Sequence, residues 1–269
     1  MTAAHERLPT DMPWLKNLLA TIEDGASRGE PVAVVRVLDA ASGKKATVTV
    51  SQGELFPPIA DGKITEKIIA AVDSLMAKRG VADLVAATDQ QGSAVRLAIE
   101  IIRPKFELVV FGAGHVGQAV ALIGALTGYE VTVIDDREEF ASRSRFPDPR
   151  IRLLVSDYAS ATETLELSAS TAVVIVTRGH QYDEVCLKKV IRSNATYIGM
   201  IGSRRRVLSV FKKLAGEGVA EEDLQRVHAP IGLRIGAISP QEIGVSILAE
   251  IIDHLNNPGH EYKGERNAI

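Results

Sequence analysis

The stretch ELVVFGAGHVGQAVALIGALTGYEVTVIDDR, residues 107–137, decides the fold. ELVVF (107–111) is a continuous apolar run, the pattern of a parallel strand covered on both faces. It leads into Gly112-Ala113-Gly114-His115-Val116-Gly117, and a helix follows with Val116, Ala119, Val120, Ile123 and Leu126 on one face. A G-x-G-x-x-G set between a strand and a helix is a dinucleotide-type fingerprint. Its first glycine permits the tight turn, its second lets phosphate approach the backbone, and its third lets the helix pack on the strand. The helix N-terminus itself favours an anion. EVTVI (130–134) is the next strand, ending in Asp135-Asp136. About 20 residues past the glycines is where an acid bonds a ribose hydroxyl in such sites.

Downstream the same rhythm continues. IRLLV (151–155) and TAVVIV (171–176) read as strands, a helix spans about Asp183 to Arg192, and TYIGMI (196–201) is a further strand. Strands alternating with helices imply a parallel sheet with right-handed crossovers. The last helix has the clearest start, with Ser239 as N-cap, Pro240 at N1 and Glu242 completing a capping box. Ile243, Ile247, Leu248, Ile251, Ile252 and Leu255 form its stripe, and Asn257-Pro258-Gly259 ends it.

Upstream, Arg103-Pro104 marks a boundary, because proline disfavours continuing either element. This gives a domain at 1–103 and another at 104–269. In the first, Trp14, Leu15, Leu18, Leu19 and Ile22 share a helical face, with Pro13 in the first turn. VAVVRVL (32–38) and ATVTV (46–50) form a hairpin around AASGKK. A helix after Asp61 carries Ile64, Ile68, Ile69, Val72, Leu75 and Met76, and DLVAAT (83–88) and VRLAIEII (95–102) flank DQQGS as two more strands. The fold class is therefore α/β, a Rossmann-like parallel-sheet domain preceded by a smaller mixed α/β domain.

Composition narrows the function classes. The 269 residues fit roughly two domains. Lys+Arg total 31 against 34 Asp+Glu, a formal charge of −3. Charge is near balance in both parts, so a general grip on nucleic acid is not expected. Cys186 is the single cysteine, which excludes an internal disulfide and a four-thiolate zinc site. It lies on an apolar helical face near Val185, Val190 and Ile191 and reads as a core thiol. No apolar run is long enough to cross a bilayer, and MTAAHERLPT lacks a signal-peptide core. A reduced cytoplasmic protein is expected, with no membrane or nucleic-acid partner.

Further polar clusters follow the apolar strands: Arg178-Gly179-His180 after TAVVIV, and Ser203-Arg204-Arg205-Arg206 after TYIGMI. Strand carboxyl ends line the ligand crevice in open parallel sheets. The glycine loop, the acidic pair, Arg178 to His180 and the arginine run are thus expected to face one cleft. Three guanidiniums at a helix start oppose the macrodipole, a conflict that a bound phosphate or a partner's carboxylate would resolve. His115, His180 and His228 are read as loop residues, and no metal-ligand spacing supports a metal site. Should a nicotinamide dinucleotide bind, Asp135 or Asp136 would favour NAD over NADP, although adjacent Arg137 could accept a 2′-phosphate.

FGAGHVGQAVALIGALTGYEVTVIDDR, the following RFP (145–147), VTRGHQYDE (176–184), YIGMIGSRRR (197–206) and HAPIGLRIGA (228–237) before Ser239-Pro240 resemble the xanthine dehydrogenase accessory proteins, the XdhC/CoxI family. The likeness runs from about residue 105 to 256 and uses these motifs in order. It implies a chaperone for a molybdenum hydroxylase client, one that binds molybdenum cofactor of molybdopterin type. That cofactor would be kept available to a cysteine desulfurase for sulfuration and then inserted into the apo-enzyme. The resemblance also implies a homodimer. The N-terminal part departs from the family. LDAASGKKATVTV, PPIADGKITEK and QQGSAVRL stand where family members carry Gly-Ser-x-Pro-Arg, Gly-Gly-Gly-Cys-x-Glu and Cys-Gly-Gly, and no cysteine occupies either place.

The leading expectation is a non-catalytic accessory factor. Gly112, Gly114 and Gly117 would cradle a phosphate, with Asp135 bonding a sugar or pterin. Arg204, Arg205 and Arg206 would neutralise the remaining charge. Two alternatives stand beside it: an NAD-dependent oxidoreductase using His180 or His228 for proton transfer, and a regulator that senses a dinucleotide.

Overall fold

A computed structural model describes residues 13–39, 43, 45–78 and 80–257. MTAAHERLPT, most of the AASGKK turn and the Pro258-Gly259 stop lie outside the described residues. The chain divides into two compact units, Met1–Pro104 and Lys105–Ile269.

The N-terminal unit contains α1 (Pro13–Ser27), β1 (Val32–Asp39), β2 (Lys45–Ser51), β3 (Glu54–Phe56), α2 (Gly62–Ala77), β4 (Ala82–Thr88) and β5 (Ala94–Ile102). Its strands form an antiparallel sheet in the order β3-β2-β1-β5-β4. Asp61 caps α2 by accepting from the Ile64 amide. Ile64, Ile68, Val72 and Leu75 of that helix pack against Val35, Val48, Leu97 and Ile99 of the sheet. The expected apolar face of α1 is only partly buried: the helix lies against β1 and β2 with Leu15, Leu18 and Ile22 half-buried, while Trp14 and Leu19 are half exposed.

The C-terminal unit contains β6 (Glu107–Phe111), α3 (His115–Leu126), β7 (Glu130–Asp135), β8 (Arg152–Val155), α4 (Tyr158–Thr164), β9 (Thr171–Ile175), α5 (His180–Val190), β10 (Tyr197–Met200), α6 (Arg204–Gly216), α7 (Glu221–Gln225), β11 (Val227–His228) and α8 (Pro240–Asn256). Its sheet is parallel throughout, in the order β11-β10-β9-β6-β7-β8. Val110 of β6 stands opposite Val133 of β7 and Val174 of β9. The strand order reverses between β6 and β9, the switch point at which doubly wound sheets open a crevice for ligands.

The two faces of this sheet carry separate cores. Phe111, Ile134 and Ile175 pack with Leu187 of α5 and with Val210, Phe211 and Leu214 of α6. On the opposite face Val110, Val133 and Val174 pack with Val120 of α3 and with Ile247 and Ile251 of α8. That double cover explains the unbroken apolar runs. Leu126, expected on the buried face of its helix, is instead 82% exposed in the last turn of α3.

Some boundaries also differ from expectation. The helix expected from about Asp183 starts at His180, with Gly179 as its N-cap. β3, α4, α7 and β11 were not expected. Each is short or depends on a distant partner, as β11 does on β10. Among the described residues no helix is long and apolar enough to cross a membrane.

Candidate functional site

The glycine loop joins β6 to α3 at the switch point, and each glycine meets a different constraint. Gly112 has a φ of 109°, and a side chain there would bring Cβ to 2.5 Å from the Val176 carbonyl oxygen after β9. A Cβ on Gly117 would overlap the Gly112 carbonyl, so the third glycine lets α3 sit down on the turn. Gly114 is different, for a Cβ there would meet nothing within 4 Å. It is the N-cap of α3 and supplies no side-chain hydrogen bond to the first-turn amides. Uncapped amides beside open space, at the positive end of a helix dipole, form a cradle for an anion. His115 is exposed as the first residue of that helix.

Asp135 ends β7 beneath this loop and is fully buried. Its Oδ2 accepts from the Ala113 amide at 2.8 Å and from Arg137 Nη2 at 3.0 Å. Its Oδ1 accepts from Arg137 Nε at 2.8 Å and from the Arg137 amide. Burial pushes the carboxyl pKa up, but the Arg137 guanidinium and the two amides outweigh it and hold it below the ordinary carboxylate value. Asp136 is gripped by Arg178, whose Nη1 and Nη2 donate to its two oxygens at 2.9 and 2.8 Å. Arg178 also donates to the Tyr182 hydroxyl at 3.0 Å and lies 4.8 Å from that ring's centroid. The acidic pair and Arg178 thus meet across the ends of β7 and β9.

Arg145 was not singled out as a site residue. Its Nη2 donates to the Ala113 carbonyl and to Gln118 Oε1, both at 3.1 Å, while Gln118 donates back to the Arg145 carbonyl. The sequence signal was the RFP segment, which carries no local pattern that points to a loop so far back in the chain.

The arginine run divides. Ser203 caps α6 by accepting from the Arg206 amide. The Arg206 guanidinium turns inward and pairs with Asp183, which is itself fully buried and accepts from the Thr177 hydroxyl. Desolvation lowers the Arg206 pKa. Arg205 and Arg206 both line a groove of about 470 Å³ with Glu184, Ser203, Ser209 and Lys213. The side chain of His180 lies outside the described residues, although its backbone opens α5.

His228 requires a correction, because it is not a loop residue. It sits on β11, opposite Gly199 of β10, and is 4% exposed. Its Nδ1 is 3.3 Å from Glu250 Oε1, and its ring lies 4.3 Å from that of Tyr197 and 4.9 Å from that of His254. Tyr197 and the Gly232 amide also donate to Glu250, both at 2.7 Å. Cys186 is fully buried, and burial raises its thiol pKa. No group of side chains suited to a metal ion occurs among the described residues.

Residues 108–251 match the family model described as XdhC Rossmann domain. The uncharacterized protein YqeB of Escherichia coli (strain K12) is 37% identical over 185 residues, covering 68% of this chain and 33% of that protein. A probable xanthine dehydrogenase subunit of Bacillus subtilis (strain 168) is 32% identical over 154 residues, covering 57% and 44%. The molybdenum cofactor insertion chaperone PaoD of Escherichia coli (strain K12) is 24% identical over 149 residues, covering 55% and 40%. The matched region spans less than half the length of each of these relatives.

Proposed function

The chain belongs to the family defined by the XdhC Rossmann domain, and from that premise we propose that it is a non-catalytic accessory factor for a molybdenum hydroxylase. It would hold a molybdenum cofactor of molybdopterin type, keep it available to a cysteine desulfurase and pass it to the apo-enzyme, acting as a homodimer. Its relatives include a molybdenum cofactor insertion chaperone and a probable subunit of xanthine dehydrogenase, which supports this reading.

The observation that carries it is the cradle at Gly114, where open space meets the uncapped first turn of α3. The residues there fit an anionic cofactor. Gly112 and Gly117 keep the loop tight enough for its amides to face a phosphate, and Asp135 fixes the Ala113 peptide from below. His115 supplies one of the first-turn amides. Asp136 and Arg178 meet at the ends of β7 and β9, beside the crevice, and His180, at the start of α5, would contribute there. Ser203, Arg204 and Arg205 would approach it from the end of β10, where Ser203 and Arg205 line a groove with Glu184 and Lys213, while Arg206 holds α6 to Asp183. The bound group would supply the redox chemistry of the client enzyme, and this chain's part is to bind, orient and shield it.

The test is reconstitution. Apo-hydroxylase is incubated with molybdenum cofactor, with and without the full chain, and the cofactor content of the re-isolated hydroxylase is measured. The proposal expects faster and fuller loading with the wild-type chain and little gain with Gly114→Val. Equal loading with and without the chain overturns it.

A further inference from the structure

In dinucleotide sites of this type the acid after the second strand bonds the ribose hydroxyls, which selects an unphosphorylated sugar. Here that acid is already engaged. Both oxygens of buried Asp135 accept from Ala113 or Arg137, and both oxygens of Asp136 accept from Arg178.

Two guanidiniums hold these carboxylates, and a third, Arg145, joins them through the Phe140 ring and the glycine loop. Arg137 and Arg178 approach Asp136 to 3.8 and 2.8 Å. Arg137 and Arg145 both lie over the Phe140 ring, 3.5 and 5.0 Å from its centroid. Arg145 also touches the glycine loop through the Ala113 carbonyl, and its Nε is buried with no hydrogen-bond partner among the described residues. A buried donor normally has a partner, so the Arg145 guanidinium is not fully satisfied where it stands, and a small shift of the side chain would bring it to an acceptor. The Asp136–Arg178 pair is partly exposed, at 25% and 36% of the side chains, so exchanging its carboxylate for a ligand oxygen costs little. Tyr182 would keep Arg178 in place during that exchange.

We infer that Arg137, Arg145 and Arg178 receive a phosphate monoester of the ligand held at the glycine loop. The inference rests on the ligand-binding reading above and names the group that the crevice selects. Forked guanidiniums match the oxygens of a dianionic phosphate better than they match a sugar diol. Two ligand classes carry such a group: a molybdopterin, whose single terminal phosphate the glycine loop and these arginines would grip together, and an adenine dinucleotide phosphorylated on its ribose, whose pyrophosphate would lie at the loop. For the dinucleotide, the preference is the reverse of the one that the acidic pair alone suggests.

Two titrations of the full chain at fixed ionic strength test this. One compares adenosine 2′,5′-bisphosphate with adenosine 5′-monophosphate. The other compares the fluorescent pterin derivative of oxidised molybdopterin before and after phosphatase treatment. The inference expects at least one monoester to bind about tenfold or more tighter than its counterpart, a difference of about 1.4 kcal/mol. Arg178→Gln should remove most of that advantage without moving the melting temperature, and Arg145→Lys should reduce it by loss of the fork. The arm with the larger discrimination identifies the source of the phosphate. Equal affinities in both arms, no binding in either, or an advantage that survives Arg178→Gln overturns the inference. A pterin that binds equally well with and without its phosphate removes both the arginine cluster and the phosphate cradle at Gly114, and the accessory function then stands or falls on the reconstitution of the hydroxylase. Selection of the adenosine bisphosphate alone, with no pterin binding, keeps the arginine cluster and removes the accessory function.

Discussion

In the C-terminal unit β9 and β10 are buried at every residue and β6 at all but its first. In the N-terminal unit β5 alternates buried and open positions, and β4 holds no fully buried residue. The first pattern needs helices on both faces, and right-handed crossovers then bring every strand's carboxyl end to one edge. Gly112, Asp135, Thr177 and Ser203 all stand just beyond or at such ends. The second pattern is an antiparallel sheet with α2 on one face, whose neighbouring strand ends point in opposite directions. The comparison shows why side chains far apart in sequence converge in one unit: the topology gathers them before any side chain is chosen.

The sharpest way to strain this contrast is to add one methyl group in each unit. Gly117→Ala forces a Cβ into the Gly112 carbonyl and should cost about 3 kcal/mol, read from the urea midpoint. Gly92→Ala, in the turn between β4 and β5, meets no neighbour and has only its φ of 88° to overcome, for about 1 kcal/mol. Equal losses would mean that close packing at the glycine loop is not what distinguishes the two units.

Comparable in size is Asp135→Asn, which leaves Arg137 without its buried partner and should destabilise by about 3 kcal/mol at neutral pH. The sign of its pH dependence follows from the lowered folded-state pKa. The carboxylate's contribution is complete above the unfolded value of about 3.9 and disappears as pH falls through the lower folded value. Wild-type and Asp135→Asn proteins should therefore converge in stability as pH drops below about 4. A gap that stays constant from neutral to acid pH would show that the carboxylate does not carry the effect.

The smallest effect belongs to the open face of the N-terminal sheet. Leu84→Gln on β4, at a position 64% exposed, should shift stability by no more than about 0.5 kcal/mol. A larger loss would show that this face is covered in solution.

How much of this was legible follows from the range of each interaction. The capping box at Ser239 and Glu242 was readable because its groups lie within one turn, and both reciprocal bonds are present. β6, α3 and β7 were readable because doubly covered strands are apolar throughout and because the loop needs its glycines. Trp14 and Leu19 misled, since helical spacing reports a shared face and not what covers it. Glu250 and Arg145 were invisible because their partners, His228 and Ala113, are brought to them only by the finished fold. The same holds for Arg206, which looks identical to its two neighbours in sequence and differs from Arg205 only in finding Asp183.

The central claim is that the open space at Gly114 receives the ligand's phosphate. It is tested most directly by equilibrium titration of wild-type and Gly114→Val chains with molybdenum cofactor, alongside their urea midpoints. Valine at this N-cap has room and should cost no more than about 1 kcal/mol of stability. The account predicts that the variant stays folded and binds at least about tenfold more weakly, a loss of about 1.4 kcal/mol or more. A folded variant with wild-type affinity would contradict it.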